Sequence, residues 1–434
     1  MKYCKRCCYP ANAKPAIIFD EQGVCSGCRY VESRKGILGA IDWDERERWL
    51  REMLEEYKAR NRERGGMYDC LIPVSGGKDS HFQVYLMKEV YGLNPLLVTY
   101  NHCFNTKLGI RNLTNMVSAF GCDLVRFTSS PQAVKRLTRY GLRRFGDVTW
   151  HYHSGIMTYP IQTAVRYKIP LMVWGEEGIS ELVGMFNQDD MVEFTKKRRQ
   201  EHCMRGFEPE DVLEDDIAIQ EGVRREDLAP FFYPSDEEVE ELGLRGIYLS
   251  NYIHWNAREQ TRLMIDKYGF ETAQERDRTF NLNDKLDDLC ANGVHDYLKY
   301  LKFGYGRATD DASAEIRHGR MTREQGIELV MQYDHVRPHD LDTWLEFAGM
   351  TEQEFMSHVD PYRESSIWKQ DENGRWVVKD TIGNHVHDPG VEDVALEVVE
   401  PWKPFTPSAP RSDLRTGGVK ENVNLNMQSE YVLL

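Results

Sequence analysis

The chain contains no uninterrupted apolar run near the roughly 20 residues that a membrane-spanning helix requires. It opens Met1-Lys2-Tyr3-Cys4, without the apolar stretch of a secretion signal. We therefore expect no membrane partner and a cytoplasmic location. In that compartment thiols stay reduced, so disulfides are not expected among the ten cysteines.

An excess of positive charge is also missing. The 55 Lys and Arg residues stand against 70 Asp and Glu residues, a formal net charge of −15. Proteins that bind nucleic acids neutralise phosphates with basic groups, so we expect no nucleic-acid partner. Between Glu208 and Glu241 there are fourteen acidic and two basic residues, a net of −12. We interpret residues 206–246 as an acidic insertion with a solvated face.

Four of the cysteines form two CxxC pairs, Cys4 with Cys7 and Cys25 with Cys28, and seventeen residues separate the pairs. This spacing is typical of a structural zinc site, in which two tight turns present four thiolates to one tetrahedral ion. We predict a zinc-binding module over residues 1–40. Cys8 leaves the ligand choice at the first pair open, and an iron–sulfur cluster or metal-free thiols are the alternatives.

The most informative stretch is residues 75–80, which read SGGKDS and follow an apolar run. Two glycines between a strand and a helix expose successive backbone N–H groups, and the helix N-terminus adds positive potential. We predict a polyphosphate pocket that binds ATP with Mg²⁺, the metal being held by Asp79. A Walker A loop is excluded, because Ile72 and Asp79 occupy its glycine and hydroxyl positions. The cofactor-binding candidates are Ser75, Gly76, Gly77, Lys78, Asp79 and Ser80.

Apolar runs at 71–74, 96–100, 123–127 and 171–174 alternate with helical patterns, which predicts an α/β domain over residues 41–205. Its sheet should be parallel and doubly wound. Ligands of such sheets lie at the carboxyl ends of strands. The second predicted strand ends at Tyr100-Asn101-His102 and the fourth at Gly175-Glu176-Glu177. We expect the nucleotide or its magnesium there, with water-facing loop polar groups as the alternative.

From residue 247 the pattern becomes helical and aromatic, and we assign residues 247–360 to a helical region that completes the active site. A dense run at 295–311 joins basic, acidic and tyrosine side chains. Arg pairs bidentately with carboxylates and phosphates, which suits an acidic sugar. A structural salt-bridge corner is the alternative. Beyond it, we predict a hairpin that turns at Asn373-Gly374 and an extended tail, together residues 361–434. The substrate-binding candidates are Tyr252, Tyr305, Arg307 and Asp310.

The SGGKDS loop resembles that of the PP-loop ATP pyrophosphatases, which have a Rossmann-like doubly wound sheet. In that family the loop binds the β,γ-pyrophosphate and leaves the α-phosphate open to attack. The resemblance implies that ATP yields AMP and pyrophosphate while the substrate is transiently adenylated.

A wider set of motifs resembles the N-acetyl sugar amidotransferases of bacterial surface-polysaccharide biosynthesis. They are the cysteine segment 4–28, the loop 75–80, YLKFGYGRATD at 300–310 and GRMTRE at 319–324. The resemblance covers roughly residues 1–360. It implies that an acetamido sugar, ATP and ammonia give an acetamidino sugar through an O-adenylyl imidate. The catalytic candidates are then Lys78, Asp79, Lys302 and Arg307.

No cysteine follows Met1, so the chain shows no N-terminal glutaminase nucleophile. The resemblance implies separate partners, similar to the glutaminase and cyclase subunits of imidazole glycerol phosphate synthase. Two other functions stay open. A tRNA-modifying PP-loop enzyme would also carry N-terminal CxxC pairs, although its thiolating members need further paired cysteines near ATP. A non-enzymatic zinc-ribbon scaffold would leave the loop without a use.

Overall fold

The computed structural model describes residues 1–38, 41–101, 103–176, 191–288, 293–405 and 431–432. Its first six strands are β1 (Cys70–Pro73), β2 (Pro95–Asn101), β3 (Asn105–Thr106), β4 (Asp123–Thr128), β5 (Leu171–Trp174) and β6 (Arg245–Tyr248). Five of them form one sheet in the order β4-β2-β1-β5-β6, and every pairing in it is parallel. The predicted parallel α/β sheet is therefore confirmed.

The strand order reverses between β1 and β5, where Leu71 pairs with Leu96 on one side and Met172 on the other. A reversal of this kind opens a crevice at the carboxyl ends of the two strands. The four predicted strands lie within two residues of those observed. The prediction missed β6, because Arg-Gly-Ile-Tyr is short and does not alternate between polar and apolar residues.

Helices cover both faces of the sheet. Successive side chains of β1 point to opposite faces, so Ile72 joins one apolar cluster and Leu71 joins the other. The helices that pack into the Ile72 cluster are Trp43–Glu63, Lys78–Tyr85, Lys107–Phe120 and Ala257–Tyr268. Those of the Leu71 cluster are Pro131–Phe145 and Trp150–Tyr167. The helix Lys78–Tyr85 continues at Leu86–Val90 as a wider π-type turn.

The acidic segment packs against this second face. It forms the helices Pro209–Glu214, Asp216–Gln220 and Asp236–Leu242 and the 3-10 turn Arg225–Phe231. Its apolar residues Val212, Leu228 and Phe231 are buried in the Leu71 cluster. Three carboxylates pair with arginines of the helix Pro131–Phe145; the pairs are Arg136–Asp227, Arg139–Glu221, Arg143–Glu221 and Arg144–Asp215. Part of the negative charge thus neutralises a basic helix instead of facing water.

The remaining described chain is mainly helical. Its helices are Val294–Phe303, Arg307–Arg317, Arg323–Tyr333, Leu341–Ala348 and Glu352–Val359. Elsewhere there are the helix Ser26–Leu38 and the single helical turn Lys196–Arg198. The strands β7 (Trp368–Gln370) and β8 (Trp376–Val378) pair as the predicted antiparallel hairpin, with Gly374 at φ +74°. A last strand, β9 (Tyr431–Val432), pairs with β3. The other tail residues beyond 405 lie outside the described chain.

The cysteine segment shares an apolar cluster with the helical region, through Tyr9, Tyr305 and Ile316 among others. Within the part of the chain described above, no helix combines the length and the apolar composition needed to cross a bilayer.

Candidate functional site

The loop after β1 is shaped for backbone donors. Gly76 has φ +90°, and a Cβ there would lie 2.8 Å from the backbone nitrogen of Leu113, so only glycine fits. Gly77 is the N-cap of the helix Lys78–Tyr85. The Ser80 hydroxyl accepts from the Ser75 N–H at 3.1 Å, and the Ser75 hydroxyl accepts from the Gly77 N–H at 3.2 Å. These bonds fix the turn at the positive end of the helix.

A cavity of about 270 Å³ adjoins this loop, and we call it the loop cavity. One wall is the loop itself. The facing wall comes from the segment between the helices Ala257–Tyr268 and Val294–Phe303, with two side chains of the helix Arg307–Arg317. The facing residues are Arg276, Thr279, Asn281, Asn283, Asp284, Lys285, Asp287, Arg307 and Asp311. This wall carries three cationic groups and three carboxylates, so it offers cations to an anion without a net positive formal charge.

Lys78 is nearly buried between two carboxylates, with its Nζ 2.8 Å from Asp79 and 3.0 Å from Asp284. Burial alone would lower the pKa of Lys78, but the charges of Asp284 and Asp79 outweigh it and raise the pKa, so the ammonium persists. Asp79 is 44 % exposed and remains open to a hydrated cation. Lys78 and Asp79 therefore stand together at the loop, as the sequence predicted.

A second cavity, of about 190 Å³, continues from the loop cavity past Ser75, Lys285 and Asp287. We call it the strand-end cavity, because Tyr100 and Asn101 at the end of β2 line it. The Tyr100 hydroxyl lies 2.9 Å from the Ser129 hydroxyl, and burial raises its pKa. The two cavities together form an elongated space across the carboxyl ends of β1 and β2.

Two histidines, His153 and His295, close the strand-end cavity. His295 Nδ1 lies 2.8 Å from the buried carboxylate of Asp147. Burial lowers the pKa of His153 to about 3, so its ring is neutral at pH 7. Sequence reasoning missed both rings, since no motif marks them.

Lys302 lies near Asp147 and lines neither of these cavities. Burial lowers its pKa to about 8, against the attraction of Asp147. The structure therefore does not bring this predicted catalytic residue to the loop, although it places it near the histidines of the strand-end cavity. The separation arises because Lys302 and Arg307 lie on two different helices that Gly304 divides.

Arg307 borders the loop cavity but is already paired. Its guanidinium donates to both oxygens of Asp296, at 2.9 and 2.8 Å, and lies 3.2 Å from Asp310. Asp310 instead pairs with Lys299 at 2.6 Å and accepts from the Tyr9 hydroxyl at 2.6 Å. Asp310 thus fits the salt-bridge alternative, whereas Arg307 serves both as a structural partner and as a wall of the cavity.

The two tyrosines predicted to bind the substrate, Tyr305 and Tyr252, lie outside these two cavities. The Tyr305 hydroxyl accepts from the Lys14 N–H at 2.8 Å, in the cluster of the cysteine segment. Tyr252 packs in the Ile72 cluster of the sheet. Gly175 ends β5 against Gln83 and Trp255, and it lines neither cavity, nor does Glu176. His102 and Glu177 lie outside the described residues.

Asp311 is a site residue that sequence reasoning noted without assigning a role. It lies one helical turn after Arg307, lines the loop cavity and accepts a hydrogen bond from the Thr279 hydroxyl. Burial raises its pKa to about 7, although Arg307 and the Thr279 hydroxyl oppose the rise. A carboxyl that titrates near neutrality can accept or release a proton during a reaction. Its neighbour Asp310 points to the cysteine segment instead.

The four cysteines of the CxxC pairs are buried, and their Sγ atoms lie within 4.8 Å of one another. A tetrahedral zinc with Zn–S bonds of about 2.3 Å places its sulfurs about 3.8 Å apart. The Cys7–Cys25 and Cys4–Cys28 sulfurs are 3.6 and 4.0 Å apart, so the cluster fits one zinc ion. Backbone N–H groups at Cys7, Cys25 and Cys28 donate to these sulfurs.

Cys8 lies outside the cluster; its N–H donates to Ser313, and burial raises the pKa of its thiol. The ambiguity at the first pair is thereby removed. Arg317 approaches the sulfur of Cys25 at 3.5 Å, and Arg323 donates to the carbonyl of Cys4 at 3.3 Å. Arg317 belongs to the helix Arg307–Arg317, which lines the loop cavity through Arg307 and Asp311, so the cluster supports that wall from behind.

Residues 261–382 match a family described as LPS biosynthesis protein WbpG-like, C-terminal domain. This match supports a sugar-modifying enzyme of lipopolysaccharide biosynthesis, and the matched stretch includes the wall that faces the loop. Over 122 residues, 28% of this chain, the sequence is 27% identical to uncharacterized protein MJ1599 of Methanocaldococcus jannaschii. The match spans about two-fifths of that protein, 41% of its length.

We predict that Arg307→Ala lowers the free energy of unfolding by about 3–5 kcal/mol, because it leaves the buried carboxylate of Asp296 without a partner. Urea denaturation measures the change. Arg337→Ala removes an arginine from exposed pairs with Asp342 and Glu352 and should cost about 1 kcal/mol or less. Equal losses in the two variants would contradict the buried-pair interpretation.

We also predict one zinc ion per chain, bound through the four clustered cysteines. Cys28→Ser should remove stoichiometric zinc and lower the melting temperature, since the metal holds a segment too small to fold alone. Metal analysis and calorimetry check both effects. Cys8→Ala is the matched control and should keep its zinc; zinc loss in that variant instead of Cys28→Ser would refute the assignment.

Proposed function

We propose that the protein is an ATP-dependent amidotransferase that converts an acetamido group of a bacterial surface sugar into an acetamidino group. The observation that carries the proposal is the elongated space at the carboxyl ends of two neighbouring parallel strands, which begins at the loop 75–80 and continues across the ends of β1 and β2. The triphosphate would lie in the loop cavity and the adenosine in the strand-end cavity. The family match to lipopolysaccharide biosynthesis supports a sugar as the acceptor.

The chemistry explains why ATP is needed. An amide carbon resists ammonia because its oxygen is a poor leaving group. Attack of that oxygen on the α-phosphorus forms an O-adenylyl imidate and releases pyrophosphate. Ammonia then adds to the imidate carbon, and AMP leaves with the former amide oxygen to give the amidine.

The residues of this chain supply positioning and charge. The loop N–H groups and Lys78 would hold the leaving pyrophosphate, and Arg307 and Arg276 face it from the opposite wall. Asp79 is exposed enough to hold Mg²⁺, which would neutralise phosphate charge when bound. Asp311, which lines the loop cavity, would take the proton that the added ammonia must lose, and its pKa of about 7 suits a general base at neutral pH.

Ammonia is expected from a separate glutaminase, with a cyclase-like subunit similar to that of imidazole glycerol phosphate synthase. Residues 23–27 read GVCSG, the spacing of a nucleophile elbow. The thiol of Cys25, however, lies in the four-cysteine cluster, which commits it to metal binding. The sugar would be a nucleotide-linked diacetamido hexuronate or a nine-carbon diacetamido acid.

Pyrophosphate release tests the proposal. With a panel of acetamido sugars and ammonium, we expect AMP, pyrophosphate and a sugar product about one dalton lighter, since NH replaces O. Lys78→Gln should lower the rate by about 100-fold or more, because a buried cation aimed at the leaving group is lost. Lys88→Gln, at the far end of the same helical segment, should leave it unchanged.

Two outcomes would overturn the reaction. Formation of ADP and orthophosphate would place the cleavage at the wrong bond. Equal turnover with glutamine and ammonium, in the absence of any second protein, would contradict a separate glutaminase.

The role of Asp311 predicts a pH profile. A base must be deprotonated, so kcat/KM should rise with pH through a midpoint near 7 and level off above it. Asp311→Asn should lose this limb and fall by about 10²–10⁴-fold. Asp266→Asn, exposed on the helix Ala257–Tyr268, should keep both the limb and the rate. A limb that survives in Asp311→Asn would assign the proton to another group.

A further inference from the structure

A third cavity, of about 380 Å³, lies beside the loop cavity, and neither the predicted site residues nor the proposed nucleotide position explains it. We call it the side cavity. It shares Lys78, Asp284 and Asp311 with the loop cavity, so the two adjoin where the chemistry is proposed. A molecule in the side cavity would therefore lie next to the reacting phosphates without displacing the nucleotide.

The side cavity contains buried donors that lack acceptors. Trp255 and Arg258 line it, and Trp255 Nε1 and Arg258 Nε are buried without a hydrogen-bond partner in the described structure. Arg258 Nε lies 3.6 Å from the exposed Glu400, too far for a hydrogen bond, while another of its nitrogens donates to the Lys403 carbonyl at 2.9 Å. A buried donor left unpaired costs stability, but protein atoms cover both nitrogens, so a ligand in the side cavity would reach them only if neighbouring groups move. The Arg258 side chain as a whole keeps 16% exposure, so a ligand can meet it through its charge.

The wall of the side cavity also includes the N-terminus of a helix and two further cationic side chains. The helix Ala257–Tyr268 begins there, with Asn256, Ala257 and Arg258 all lining the space. Arg320 and Lys403 also face it; Arg320 is paired with Glu315 at 2.6 Å. The carboxylate of Asp284 is paired with Lys78. Counted with Asp311 and Glu315, the lining has four basic groups and three carboxylates, a formal charge of +1 that favours an anionic ligand.

An aromatic wall completes the cavity. Residues 401–405, which we call the strap, follow the 3-10 turn Glu392–Val394 and cross the side cavity. The backbone N–H of Trp402 donates to the Arg320 carbonyl at 2.6 Å. The Trp402 ring packs edge-to-face on Phe280, with the ring centroids 5.0 Å apart. Arg258 lies 5.3 Å from the ring of Phe405. This part of the tail, expected to be extended, is docked on the protein and offers the flat surfaces on which sugar rings and bases pack.

We propose that the side cavity binds the acceptor, an acetamido sugar that carries an anionic group, with the anion at Arg258 and the acetamido group at the Lys78–Asp311 boundary. The inference rests on the proposed function and gives its acceptor a place. The predicted substrate-binding residues Tyr252, Tyr305 and Asp310 do not line this cavity. We assign their role to Arg258, Trp255 and Trp402 instead. A carboxylate of a free sugar acid and a phosphate of a nucleotide-linked sugar would meet the same donors.

Calorimetric binding tests the site, in full-length protein saturated with α,β-methylene-ATP so that the nucleotide position is filled. The probes are N-acetylneuraminic acid, UDP-N-acetylglucosamine and neutral N-acetylglucosamine. At least one anionic probe should bind with Kd below roughly 1 mM, and the neutral probe at least tenfold more weakly. The anionic probe that binds identifies the source of the negative charge.

Arg258→Gln should weaken the anionic probe by roughly tenfold or more, because a charge-assisted hydrogen bond is lost. Arg262→Gln makes the same change one turn later, at an exposed position, and should bind as the wild type does. Trp402→Ala provides a second variant that leaves the helix intact and should also weaken binding. Affinity for α,β-methylene-ATP should stay within twofold in all three, which shows that they are folded.

The results separate the two proposals. If wild-type protein releases pyrophosphate but Arg258→Gln and Trp402→Ala bind and turn over normally, the side cavity is not the acceptor site and the reaction stands. If the anionic probe binds through Arg258 but no acetamido sugar gives AMP and pyrophosphate, the site stands and the reaction fails. Binding of neither anionic probe to the wild type overturns the inference.

Discussion

The carboxylate of Asp334 holds the first turn of the helix Arg307–Arg317, and the candidate site depends on this cap. It accepts from the Gly306 N–H at 2.7 Å, the Ala308 N–H at 2.9 Å and the Thr309 hydroxyl at 2.6 Å. A Cβ on residue 306 would lie 2.7 Å from an oxygen of Asp334, so the carboxylate can approach only glycine. The cap satisfies backbone donors that a helix start leaves open and fixes where Arg307 and Asp311 stand.

The helix Arg307–Arg317 contacts different parts of the protein on its two sides. Arg307 and Asp311 face the loop cavity, while Asp310, Ser313 and Arg317 contact the cysteine segment through Tyr9, Cys8 and the sulfur of Cys25. A metal that orders the cysteines would therefore also brace the wall opposite the loop. The cysteine cluster is thus best understood as a structural support of the site and not as part of its chemistry.

Local patterns predicted much of the fold. The strands β1, β2, β4 and β5, the hairpin at Asn373-Gly374 and the four clustered cysteines follow from apolar runs, a turn-forming pair and thiol spacing, each of which acts within a few residues. The short strand β6 could not be predicted, because its pairing with β5 supplies the order that its own residues lack. The acidic segment was predicted as a solvated insertion because its arginine partners lie about 70 to 90 residues away along the chain, where no local pattern indicates them.

By itself the sequence determined the parallel α/β core, the glycine turn of the loop 75–80 and the two CxxC pairs, because backbone freedom, hydrophobic period and ligand spacing are local properties. The exclusion of Cys8 from the cluster came from the structure. Only the tertiary structure decided which side of the helix Arg307–Arg317 meets the loop, and so which of the adjacent residues Asp310 and Asp311 enters the cavity. It also brought Trp402 of the strap to Phe280. Contacts between residues that lie far apart in the chain depend on packing over the whole fold, which no local pattern records.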